Sequence, residues 1–103
     1  MIVVLSDNAE ADLESVGDFI ALDSPDRAVT YVLELREACD HLGDMPRAFP
    51  LLDRHRRSGV RKRVYDDCLI FYTVTGQVNV IHVIHGSRNW EAIVFPKKPR
   101  RRR

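Results

Sequence analysis

A chain of 103 residues, 45% of them hydrophobic, has enough apolar surface for one core but not for two. The formal net charge is only +1, yet Met1 to Asp53 carries twelve Asp or Glu against Arg27, Arg36 and Arg47, while Arg54 to Arg103 carries thirteen Lys or Arg against Asp66, Asp67 and Glu91; opposite faces of opposite sign steer charged partners. No apolar run is long enough to span a bilayer, and Met1-Ile2-Val3-Val4-Leu5 lacks the basic start, length and cleavage site of a secretory signal, so a cytoplasmic protein without membrane contact is expected.

In chain order, Ile2 to Leu5 reads as a short opening strand at a sheet edge. Ser6, Asp7 or Asn8 then caps a helix in which Ala9, Leu13, Val16 and Ile20 recur at helical spacing opposite Glu10, Asp12, Glu14 and Asp18. Phe19 and Leu22 fall off that stripe, which points to contact with something besides the sheet. Ser24-Pro25-Asp26 is a second helix start, a cap with proline at the first helical position. Ala28, Val32, Leu35, Cys39 and Leu42 mark its inner face, with Tyr31 and Ala38 beside it, and the helix ends near Gly43. So short a connection folds the two helices into an antiparallel hairpin.

Asp44 to Ser58, broken by Pro46 and Pro50, is a loop ending in the basic run Arg54-His55-Arg56-Arg57. Val60 to Tyr65 alternates at period two, Asp66-Asp67 suits a tight turn, and the runs CLIFYTV and VNVIHVI face each other across Thr75-Gly76-Gln77. The result is a three-stranded antiparallel meander in which Arg61 and Arg63 share a face. Both faces of this sheet are apolar, whereas such a sheet normally wets one side. Something must cover the second face. His82 and His85 differ by an odd number and cannot pair on one side; His85 is expected to fix the turn before Gly86. Trp90, Ile93, Val94 and Phe95 fit either a helical turn or an extended segment, and residues 97–103 form a basic, self-repelling tail expected to be disordered. Cys39 and Cys68 have neither a CxxC spacing nor a histidine pattern, so they read as buried thiols and no metal site is expected.

The order strand, helical hairpin, proline-broken loop, basic strand, apolar hairpin and HGxR resembles the ParE branch of the RelE/ParE toxin superfamily, over about residues 3 to 95. AEADLESVGDFIA, SPDRA, Leu42 with Pro46, VRKRVYDDCLIFYTV and VIHVIHGSRNW carry the likeness. It implies an α+β fold, with a helical hairpin on a small antiparallel sheet in the order β-α-α-β-β-β, as one domain over residues 1–96. It also implies a type II toxin neutralised by a ParD-like antitoxin whose C-terminal segment wraps over helices and sheet, the cover for the second face; DNA contact would be indirect, through the antitoxin. Implied antitoxin contacts are Phe19, Leu22, Tyr31, Arg61, Arg63, Leu69 and Phe71; implied target contacts are Arg88, Trp90 and Phe95.

The superfamily offers two modes of action. RelE-like members cut messenger RNA on the ribosome; ParE-like members bind DNA gyrase and stall it with DNA cleaved. Arg61 and Arg88 match two arginines of the RelE pattern, but Leu69 replaces the second strand arginine and Ala92 the terminal tyrosine. Losing both removes charge stabilisation and a proton-transfer group, each typically worth about two orders of magnitude in rate. The resemblance therefore implies gyrase binding with no catalytic residues and no cofactor.

Overall fold

Two tight turns build the centre of the molecule. In the computed structural model, which describes residues 1–86 and 89–97, β2 (Arg61–Tyr65), β3 (Cys68–Val74) and β4 (Val78–His85) form an antiparallel meander. Asp66 takes a left-handed conformation at the first turn (φ 52°), a position where a short polar side chain is tolerated. Gly76 does so at the second (φ 82°), as a three-residue loop requires. β1 (Val3–Leu5) joins the edge of the sheet parallel to β4, so the strand order is β1-β4-β3-β2 and the sheet is mixed rather than wholly antiparallel.

Between β1 and the meander lies the helical hairpin, α1 (Asp7–Ala21) and α2 (Pro25–Asp40), followed by a 3-10 turn, His41–Gly43. Ser6 caps α1, accepting from the Ala9 N–H at 3.0 Å, and Ser24 caps α2, accepting from the Arg27 N–H at 3.3 Å ahead of Pro25. At Gly17 an added Cβ would stand 3.1 Å from the Val32 side chain, so the glycine lets the helices approach closely. Leu13 and Val16 of α1 and Tyr31, Leu35 and Cys39 of α2 pack on Ile70, Tyr72, Val80 and Val83 of the sheet. Both cysteines are free and buried.

β1 covers β4 only as far as Val80, and α1 takes over the rest of that edge. The Ser6 hydroxyl donates to the Ile81 carbonyl at 2.9 Å, and the Val83 N–H donates to the Asp12 carboxylate at 2.9 Å, with His82 Nδ1 2.8 Å from the same oxygen. This is where the register slips: Tyr72 faces Val80 but Phe71 faces His82, leaving Ile81 unpaired in a bulge. Asp12 thus replaces the missing neighbouring strand. Replacing Asp12 with alanine orphans the Val83 N–H, and a loss of about 1–3 kcal/mol is expected by urea unfolding; unchanged stability would mean that the bulge holds itself.

The far face of the sheet is covered by the chain itself. Phe71 and Ile84 are buried beneath a second apolar layer in which Leu52, Val60, Ile93, Val94 and Phe95 meet Leu69 and Ile81, and Trp90 lies 5.2 Å from Phe71. Residues Trp90–Val94 form a short helix, α3. The expectation that a partner covers this face is overturned, and the reason is energetic. Burying a Phe or Ile side chain gains about 1.5–3 kcal/mol, whereas the connection from the end of β4 back onto the sheet is short and its closure entropy small.

Candidate partner-binding surface

The helical hairpin presents apolar side chains on its solvent side, where an amphipathic helix normally presents polar ones. Val29 and Leu33, one turn apart on α2, are 62% and 59% exposed, and they stand over a groove floored by Gly17 and Ala21 of α1 and Ala28 and Val32 of α2. Its rim is acidic, with Asp7, Glu10, Glu14 and Asp18, and Arg36 bridges it to Glu10 at 2.8 Å. A second depression lies between α1 and the end of β4, lined by Asp12, Ser15, Val16, Phe19, Val83 and His85. Phe19 is 61% exposed, its ring 5.4 Å from His85, and Leu22 just beyond α1 is 83% exposed. Four large apolar side chains out of the core on one supersecondary unit mark a surface built for contact.

The chain matches a family model, the ParE toxin of type II toxin-antitoxin system, parDE, over residues 3–90. The chain belongs to the ParE toxin family. A solved structure of the chromosomal ParDE TA system from P. aeruginosa superposes with a TM-score of 0.71 at 19% identity, covering 84% of this chain and 97% of that one. No curated protein matches. At that identity the superposition speaks for the ParE fold alone.

Against the ParE assignments made from the sequence, the structure sorts the residues. Phe19 and Leu22 are open to a partner. Tyr31 and Phe71 are not: Phe71 is in the far-face layer, and Tyr31 is buried with its hydroxyl 2.9 Å from the Asp66 carboxylate and 3.5 Å from Cys68 Sγ. The core on each face of the sheet already claims both side chains. Leu69 is half-buried against the same far-face layer.

Arg61 and Arg63 hold the fold together. Arg61 donates to the Phe49 carbonyl at 2.6 Å, fixing the proline-broken loop, and Arg63 donates to the Ala38 carbonyl at 2.8 Å in the last turn of α2. A cation suits that helix end, where unpaired carbonyls carry partial negative charge. The Arg63 guanidinium also lies 5.1 Å from the Phe49 ring centre. Trp90 and Phe95 anchor α3, Trp90 on Phe71 and Phe95 stacked on His55 at 4.1 Å. Arg88 and positions 98–103 of the basic tail lie outside the described residues.

Sequence reasoning missed Val29 and Leu33. Their spacing of four on α2, one position on from Ala28 and Val32, was the available signal. The two histidines do not meet: His82 is held by Asp12, and His85 lies against Phe19 and Tyr31. Among the described residues no cluster of His, Cys, Asp or Glu could hold a metal ion, and no helix is long and apolar enough to cross a membrane.

Burial raises four acids that sit under the hairpin, the Tyr72 phenol among them. It pushes the Cys39 thiol up to about 12, with Asp40 adding to the effect. The Cys68 thiol is raised by the same desolvation, and the Tyr31 phenol by desolvation and then by its bonds to Cys68 and Asp66. Unfolding returns each group to its ordinary value, so above about pH 8.5 the unfolded chain releases protons that the folded chain keeps. Stability is therefore expected to be intact below that pH and to fall as pH rises, by about 1.4 kcal/mol per pH unit for each group ionised only in the unfolded state. Urea midpoints that stay level from about pH 8.5 to 11 would contradict this.

Proposed function

We propose that this chain, with residues 1–96 as its toxin domain, is neutralised by an antitoxin segment that folds onto the outer side of the helical hairpin, and that it arrests growth by binding DNA gyrase and holding its cleaved-DNA complex. Family membership supports the toxin reading, and the exposed apolar groove between α1 and α2 carries the docking reading. An amphipathic helix laid in a groove is a recurrent mode for segments that order on binding. The acidic rim favours a segment with basic residues flanking its apolar stripe.

The gyrase reading rests on the family and on what the chain lacks for RNA cleavage. Leu69 packs in the far-face layer and Ala92 lies on α3, where the ribonuclease branch is expected to carry an arginine and a tyrosine. Neither can stabilise a phosphate transition state or move a proton. The test sets gyrase supercoiling and DNA-cleavage assays beside a translation-dependent message-cleavage assay. Accumulation of cleaved DNA with gyrase is the expected result; message cleavage with no effect on gyrase would replace this reading with a ribosome-dependent endoribonuclease.

A further inference from the structure

The acidic hairpin accounts for one half of the charge asymmetry; among the described residues of the other half, five cations gather around α3. The 3-10 segment Asp53–Ser58 puts Arg54, Arg56 and Arg57 on the surface, all exposed. His55, in the middle of that run, stacks on Phe95 at 4.1 Å and lies 2.8 Å from the Glu91 carboxylate, which fixes the arginines beside α3. From the adjacent strand the Lys62 ammonium sits 5.8 Å from the centre of the Trp90 ring, and Lys97 is exposed just beyond Phe95. Five cations thus surround one short helix. The acids described among them have local partners: Asp53 is 3.3 Å from Arg56, and Glu91 is held by His55.

We propose that the face bearing Arg54, Arg56, Arg57, Lys62 and Lys97 is a binding surface for the phosphodiester backbone of double-stranded DNA. Three of the five cations are arginines, whose planar fork matches phosphate oxygens two at a time. The duplex offers the densest line of such charge, about one per 1.7 Å of axis. Single strands are bound largely by stacking bases on free aromatic faces, and here those faces are taken: Trp90 lies on Phe71 and Phe95 on His55. Base reading in the major groove needs an inserted helix or ribbon, whereas α3 is five residues long and packed flat on the sheet. Binding is therefore independent of sequence. This surface is separate from the apolar groove of the hairpin and does not depend on which target the toxin attacks.

The experiment is fluorescence anisotropy with the full chain alone, so that no partner supplies the contact, on unrelated labelled duplexes of about 20 base pairs over a salt series. Affinity is expected to be alike for all duplexes and to fall on a log–log line with a slope of about −3 to −5. The triple variant Arg54→Ala/Arg56→Ala/Arg57→Ala is expected to flatten the slope by about 2–3 and to weaken binding on the order of 100-fold near ~0.1 M salt. The matching triple lysine variant should keep the slope, and both variants should melt with the parent protein, since the three side chains are exposed. No binding at low salt, an unchanged slope in the triple alanine variant, or tighter binding to a single strand or to polyglutamate of similar length would each overturn the assignment.

Discussion

Replacing Phe71 with alanine is expected to destabilise the protein by about 3–5 kcal/mol, the range for truncating a fully buried aromatic ring. Phe71 has no exposed surface, and its ring meets Trp90 5.2 Å away, a pairing that adds about 0.5–1.5 kcal/mol beyond area. A domain of this size is stable by only about 5–15 kcal/mol in total, so the melting temperature should drop by about 12 °C or more. Leu22→Ala, at a residue 83% exposed, is the control and should stay within about 0.5 kcal/mol of the parent. The measurement is a urea titration read by far-UV circular dichroism, with Trp90 fluorescence as a probe of α3. The two signals should move together in the Phe71→Ala protein. A loss below about 1 kcal/mol would mean that α3 and Leu52 do not pack on the far face, and that this face is open after all.

That result would bear on the one place where sequence and structure part most clearly. The meander was legible because its signals are local: Asp66-Asp67 and Thr75-Gly76-Gln77 occur where the backbone must turn left-handed, and the strands between them are rich in β-branched and aromatic residues. The helical hairpin was legible for the same reason, with Ser24-Pro25 at a start and apolar spacings of three and four. Trp90 to Phe95 gave no such signal. A helix of five residues does not complete enough turns for periodicity to separate it from a strand. The double-sided apolarity of β3 and β4 was read correctly, but its cover was assigned to a guest rather than to α3. The direction of β1 was equally silent, because three residues carry no orientation.

The site shows a similar division. Alternation placed Arg61 and Arg63 on one face of β2, yet what a guanidinium reaches depends on the path of the proline-broken loop and the end of α2, which no period dictates. Both arginines proved to hold backbone carbonyls. Tyr31 bonds Asp66 across 35 positions in the chain, a contact invisible to local pattern. Phe19 and Leu22, in contrast, were recognisable as exposed because they broke the α1 stripe. Val29 and Leu33 keep a stripe of their own beside the inner stripe of α2, which a single-face search passes over.

The second large effect is expected at that surface. A Phe19→Asp/Leu22→Asp protein should fold like the parent, since both side chains are mostly in water, but should bind its antitoxin about 1,000-fold less tightly. Large apolar anchors at the centre of an interface typically cost 2 kcal/mol or more each when removed, about 30-fold apiece. The new carboxylates add repulsion on a helix that already carries Glu10, Asp12, Glu14 and Asp18. In cells the variant toxin should arrest growth even when the antitoxin is co-expressed, because Trp90 and Phe95, two of the target contacts that the resemblance implies, lie in and beside α3 rather than on α1. Calorimetric titration of the purified toxin with antitoxin gives the affinity, and colony counts under dual induction give the consequence. If the double variant were still neutralised at parental affinity, the antitoxin would grip the hairpin away from Phe19 and Leu22. The Val29→Asp/Leu33→Asp protein then decides between the two grooves, because those residues line only the one between α1 and α2.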